Sequence, residues 1–252
     1  MKSIAALLLS LLLIGCAAQQ TDFEPPRRIV PPEQVKAELL RLADQEWRAF
    51  GRQVVRHESD RIVVDPVGRH TEDDRAVYER MTGYWNAVGD TGFSSYQDCE
   101  GSWQRVTARK CPWHLPWSAA FISWLMLKSG VTEFQPDASH AIYLQPILAG
   151  KISRLVARNI AERAPQPGDL ICSTRGMGND APTDWHQLIG KTVPMHCDLV
   201  TANRGSSIEA IGGNVFNAVS KSIRPAREGL LDRASSGAFV VIVENRYPVP
   251  GS

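Results

Sequence analysis

The sequence predicts an α+β fold in which helices come first and strands follow. Three observations point there. Up to about residue 164, apolar residues recur mainly at helical spacing. From Pro165 the pattern changes to short apolar runs bounded by turn residues. The last of these, Ala238-Phe-Val-Val-Ile-Val243, is continuously apolar and suits a strand buried on both faces.

Each element has its own justification. Val35, Leu39, Leu42, Trp47 and Phe50 lie at spacings of three to five, which predicts an amphipathic helix from 32 to about 57, with Gly51 weakening its end. A polar loop follows through Asp65-Pro66 and Gly68. Val77, Met81, Tyr84 and Trp85 mark the apolar side of a second helix over 73–87. Residues 92–110 read as a loop carrying Cys99. A third helix opens at Ser118 and stops before Gly130, a C′ glycine. Further helical pieces are expected over 138–149 and 152–164. Pro167-Gly168 marks a turn, and strands follow over 169–173, 196–202 and 207–211, the last closed by Gly212-Gly213.

The N-terminus predicts an exported protein. The apolar run from Ile4 to Ile14 is shorter than the ~20 residues needed to span a bilayer and has the length of a secretory signal. Leu13-Ile14-Gly15-Cys16 resembles a bacterial lipobox, which implies cleavage before Cys16 and lipidation of its thiol. The expected organisation is therefore a lipoprotein signal peptide over 1–15, and a lipidated Cys16 with a proline-stiffened tether over 16–32. A helical region over 33–90 and a main α+β domain over 91–246 follow. Ala17 stands where the enteric sorting pattern places an inner-membrane-retaining Asp. The expectation is a bacterial envelope protein, lipid-anchored and on the outer membrane facing the periplasm if the cell is Gram-negative.

A net charge of +1 without a Lys/Arg cluster argues against nucleic acid as a partner. The six histidines form no metal-ligand spacing, and no cofactor or metal is expected. Apart from Cys16, the cysteines are Cys99, Cys111, Cys172 and Cys197, and an oxidising compartment permits disulfides among them. Three pairings exist. If the strands carrying Cys172 and Cys197 pair antiparallel, those ends meet. Cys111 either bonds Cys99 across a short loop or approaches the same cleft as Ser118 as a rival nucleophile.

Four stretches carry a resemblance. Trp117-Ser-Ala-Ala-Phe-Ile122 resembles the W-C-x-A-F-V helix start of the papain-like NlpC-type and CHAP cell-wall hydrolases, with Ser118 in place of the cysteine. Pro167-Gly-Asp-Leu170 resembles their P-G-D strand start. His196 opens the next strand as their general base does, and Asn214, in Ile211-Gly-Gly-Asn214, falls where they keep an orienting polar residue. More narrowly, the set is similar to a bacterial group known as domain of unknown function 2272. The resemblance implies a papain-like fold, with helices packed on an antiparallel sheet. It also implies a site in which Ser118 attacks a carbonyl, His196 carries its proton and Asn214 orients His196.

A serine departs from the family thiolate and needs a base to remove its proton during attack. The alternative for Ser118 is a plain N-cap, and for Asn214 a turn residue. Strand alternation puts Asp198 on the same face as His196, which keeps it in reserve as orienter. The long connection over 174–194 brings Arg175, Trp185 and His186. Trp113, His114, Trp117 and His140 are expected on another wall of the cleft, for substrate binding, with a place in the core as the alternative for the tryptophans. The resemblance implies hydrolysis of peptidoglycan or muropeptide amide bonds. The competing expectations are a non-catalytic lipoprotein that binds peptidoglycan or a protein through the same cleft, and ester or acyl-transfer chemistry on lipids.

Overall fold

The structure, a computed structural model, describes residues 29–58, 60–65, 68–101, 110–231 and 239–248. The expected signal peptide, Cys16 and most of the expected tether lie outside them. No helix of the described residues is long and apolar enough to cross a membrane.

The architecture is α+β, built on one large mixed sheet. Helix α1 (Val35–Ala49) buries Val35, Leu39, Leu42 and Ala43. It stops at Phe50 rather than running on to 57. Gly51 has φ +84°, and a Cβ there would stand 1.7 Å from the Gly68 carbonyl oxygen. The chain therefore turns at Gly51, and the β-branched Val54-Val55 enters strand β1 (Val54–His57), paired with β2 (Ile62–Asp65). The end of the expected helix and the first part of the expected polar loop thus form a hairpin. A 3₁₀ turn leads into α2 (Tyr78–Asn86), and the short α3 (Tyr96–Cys99) precedes α4 (Ser118–Lys128) and α5 (His140–Leu148).

The expected helix over 152–164 is instead strand β3 (Leu155–Arg158), with alternating burial. Its periodicity is overridden by an open sheet edge: β3 pairs antiparallel with β9 (Phe239–Asn245), and Arg158 meets Glu244 across the pair at 2.8 Å. Strands β4 (Leu170–Thr174), β5 (Met195–Asn203) and β6 (Ser207–Gly212) fall where the sequence placed strands. Strand β7 (Ser220–Arg227) was not anticipated and adds a two-residue partner, β8 (Leu230–Leu231).

The strand order is β2-β1-β7-β6-β5-β4-β9-β3. All pairings are antiparallel except β1–β7, which makes the sheet mixed rather than antiparallel throughout. The hairpin, which lies in the region 33–90 expected to be helical, thereby extends the main sheet.

The helices share one apolar core with Leu170, Cys172, Cys197, Leu199, Ile211, Val241 and Val243. Ile171, Val200, Ile208, Ala210, Phe239 and Ile242 form a second cluster. Strand β9 contributes to both, as its continuous apolar run requires. Cys172 and Cys197 face each other in the β4–β5 register and are disulfide-bonded, and Cys99 is bonded to Cys111. Cys111 is therefore not a free nucleophile.

Candidate active site

Ser118 begins α4 but does not cap it. Trp117 holds the N-cap position, and no side chain closes the helix. The serine hydroxyl instead lies 2.7 Å from His140 Nε2. His140 opens α5, and the loop between the helices sets its position. Ser123 Oγ donates to the Asp137 carbonyl and accepts from the Asp137 N–H, and Asp137 Oδ1 accepts from the Ser139 N–H. These bonds tie the start of α5 to the first turns of α4. Three residues on, Tyr143 brings its hydroxyl to 2.5 Å from His140 Nδ1.

A second pair adjoins the first. His196 Nε2 is 2.7 Å from Asp198 Oδ1, two residues along β5 and on the same face. The rings of His140 and His196 meet edge to face at 5.4 Å between centroids. Ser118, His140, His196 and Asp198 are 7%, 4%, 4% and 0% exposed. The result is a buried file running from a helix start to a strand interior.

Gly212 and Gly213 make room for this file. A Cβ at Gly212 would lie 1.8 Å from Asp198 Oδ1, and one at Gly213 would lie 2.7 Å from Phe121 Cβ. The Ile211-Gly-Gly-Asn214 stretch thus lets β6 approach Asp198 and α4.

The electrostatics separate the ionisable groups. Burial, reinforced by the neighbouring His196, pushes His140 well below the usual histidine value, so it is neutral at pH 7. Burial and the Asp198 charge raise Tyr143, which stays a phenol. Burial also opposes ionisation of Asp198, but His196, Arg224 and Arg175 outweigh it and hold the carboxyl at about 2.

Acid stability follows from these shifts. His57, on β1, is lowered to about 4 by burial and by Arg224. Histidines depressed in the fold take up protons first when unfolded, so their contribution is complete above about 6.5 and is lost as pH falls towards 4. Asp198 adds nothing to that window, because its own contribution disappears between about 3.8 and 2. The urea midpoint is expected to fall between pH 7 and 4.5, and His57→Gln to remove about 1–2 kcal/mol of that fall, discounted for its half-exposed ring. Equal slopes in both proteins would contradict the assignment.

Two expected site roles are corrected. The histidine at the Ser118 hydroxyl is His140, placed by sequence only on a cleft wall, and not His196. The partner of His196 is Asp198, not Asn214: Nε2 is bonded to Asp198, and Nδ1 is buried without a hydrogen-bond partner. Asn214 instead takes a left-handed turn conformation, φ +56°, after the two glycines.

Among the substrate-wall candidates, Trp117 is core. It is fully buried between Phe50 and Tyr84, and its indole N–H donates to Glu72 at 2.6 Å. Trp113 packs with Tyr78 beside the Cys99–Cys111 disulfide. Trp185 is half-buried and stacks on His186 at 3.7 Å. Arg175 is exposed just past β4, where Ser173 faces His196 in register.

The members of this file that the sequence ranked low left partial signals. His196-x-Asp198 shares a strand face, and His140-x-x-Tyr143 shares a helix face. Nothing local signalled the contact of Ser118 with His140.

A cavity of ≈ 680 Å³ lies elsewhere, between α1 and the segment after β9, and shares no residue with the file. Among the described residues, no group of three or more His, Cys, Asp or Glu side chains could hold a metal ion.

Comparison with known proteins gives one match. The model of a family described as "uncharacterized protein conserved in bacteria (DUF2272)" covers residues 72–248. No curated protein and no solved structure matches the chain.

Proposed function

The chain belongs to the DUF2272 family, whose matched region contains the whole Ser118–His140 and His196–Asp198 file, and from that premise we propose a serine-dependent acyl hydrolase of the bacterial cell envelope. The observation that carries this proposal is the 2.7 Å contact between Ser118 Oγ and a neutral, buried imidazole at a helix start. The similarity to NlpC-type and CHAP hydrolases in WSAAFI, PGDL, the His-led strand and IGGN supports a papain-like layout. It also supports peptidoglycan amide bonds as the substrate. The lipobox-like Cys16 supports a lipid-anchored envelope location.

In this mechanism Ser118 Oγ attacks the carbonyl carbon while its proton passes to His140 Nε2. The tautomer required carries its proton on Nδ1 and donates it to the Tyr143 oxygen. The oxyanion forms beside the free N–H groups of the first turn of α4, where the helix dipole favours negative charge. His140 then gives the proton to the leaving amine, and water releases the acyl group from Ser118 by the reverse route. Burial and His196 oppose the imidazolium formed midway, and the ionised Asp198 charge favours it.

The test is digestion of purified sacculi by the full-length protein in detergent, with Ser118→Ala beside it, followed by mass analysis of the released fragments. New termini from the wild type alone are expected, together with fluorophosphonate labelling of Ser118. Identical products from both proteins, with no labelling, would sink the hydrolase.

The near-complete burial of Ser118 favours a second proposal, in which the file only braces α4 against β5 and the protein binds peptidoglycan without cleaving it. Sacculus binding that survives Ser118→Ala, without products, would favour it.

A further inference from the structure

Asp198 poses a problem that His196 alone does not solve. A fully buried carboxylate needs compensation at both oxygens. Oδ1 has His196, but Oδ2 is buried and accepts no hydrogen bond. The cation facing it is Arg224, whose Nη2 lies 3.9 Å away.

Arg224 is held from three elements. It belongs to β7, its Nη1 donates to His57 Nδ1 on β1 at 3.3 Å, and its guanidinium carbon sits 4.7 Å from the Phe239 ring centroid on β9. Register explains how it reaches β5. Ser220, Ser222 and Arg224 share one face of β7, opposite Gly212, Ala210 and Ile208 of β6. On that face the β6 and β7 residues beside Asp198 are therefore small, Gly212, Ala210 and Ser222, while Ile171 of β4 stands opposite it.

We propose that Arg224 is a positioning residue: it fixes the Asp198 carboxylate so that Oδ1 faces His196, and it acts on the site only through that pair. This rests on the hydrolase only for its chemical purpose, since the geometry stands without any reaction. The remaining groups near the pair are His140 and Tyr143 from α5, Arg175 after β4 and His57 from β1. None of them hydrogen-bonds Asp198 Oδ2.

The test reads which ring nitrogen of His196 carries the proton, by nitrogen-15 NMR of full-length protein labelled at histidine in alkaline buffer. Four proteins are compared: wild type, Arg224→Gln, Arg224→Lys and, as control, Arg227→Gln at an exposed position of the same strand. In the wild type the contact with Asp198 Oδ1 should hold the proton on Nε2. Without the fork the carboxylate is free to turn, so Arg224→Gln should lower the Nε2-protonated fraction about twofold. Arg224→Lys keeps the charge without the planar fork and should lower it by less than half as much. Arg227→Gln should leave it in place. An unmoved tautomer in Arg224→Gln, with native near-ultraviolet circular dichroism, would overturn the proposal. If the glutamine variant does not fold, Arg224→Lys decides: a measurable fall supports it and no change overturns it. A fall in a protein that cleaves nothing would uphold the positioning role and sink the hydrolase. Cleavage with an unmoved tautomer would do the reverse.

Discussion

Replacing His140 by glutamine is expected to slow the labelling of Ser118 by a fluorophosphonate about 10³-fold, as removal of a positioned general base does. The reason is the 2.7 Å contact of Nε2 with the serine oxygen, which glutamine can keep as a hydrogen bond but not as a proton acceptor. His196→Gln should cost less, about 10–100-fold, because that ring touches His140 and not the hydroxyl. Intact mass followed over time gives both rates. The opposite ranking would make His196 the base and the Ser118–His140 bond a resting contact. The pH profile supplies an independent sign. A base held well below 6.5 stays unprotonated as pH falls from 7 to 6, so the wild-type rate should be flat there.

The second large effect is on stability. Trp117→Ala is expected to cost about 3–5 kcal/mol in urea unfolding, the range for deleting a buried aromatic side chain. The indole fills the space between Phe50 and Tyr84, so its loss opens a cavity where α1, α2 and α4 meet. It also removes the N–H that bonds Glu72, whose carboxyl burial already raises. Trp185→Ala, on a half-buried loop ring, should cost under about 1 kcal/mol. Equal costs at the two positions would contradict the core role assigned to Trp117. Because Trp117 directly precedes Ser118, its removal should also loosen the start of α4 and lower any labelling of that serine.

These two residues show how much of the site was legible. Trp117 and Ser118 announced a helix start by composition and order, and the helix is there. Their chemistry was harder to read. Serine before an apolar helix suggests a cap, yet the hydroxyl turns away from its own helix to His140, twenty-two residues on. Asp198 was visible through two-residue alternation with His196. It ranked below Asn214 because alternation placed it near His196 without aiming it there, and because the family pattern places the orienter one strand later. The left-handed turn at Asn214 follows from the paired glycines and gives that residue a backbone task.

The fold divides in the same way. Helices α1, α2 and α4 and strands β4, β5, β6 and β9 could be read because each carries its own periodicity over enough residues. Strand β3 could not, since four residues with alternating burial look like part of a helix until β9 offers an edge. Strand β7, with its serines and arginines, lacks an apolar signature because the face it presents carries Ser220, Ser222 and Arg224.

By itself, then, the sequence determined the α+β class, the order of the chemical groups and the helix that presents Ser118. These depend on local spacing and side-chain type. Only the tertiary structure decided which cysteines bond, which histidine meets the serine and which acid meets His196. Those contacts depend on strand register and on the loop bonds between α4 and α5, which join residues far apart in the chain. Small residues at Gly212 and Gly213 permit the close approach, and no local pattern encodes what fills the space they leave.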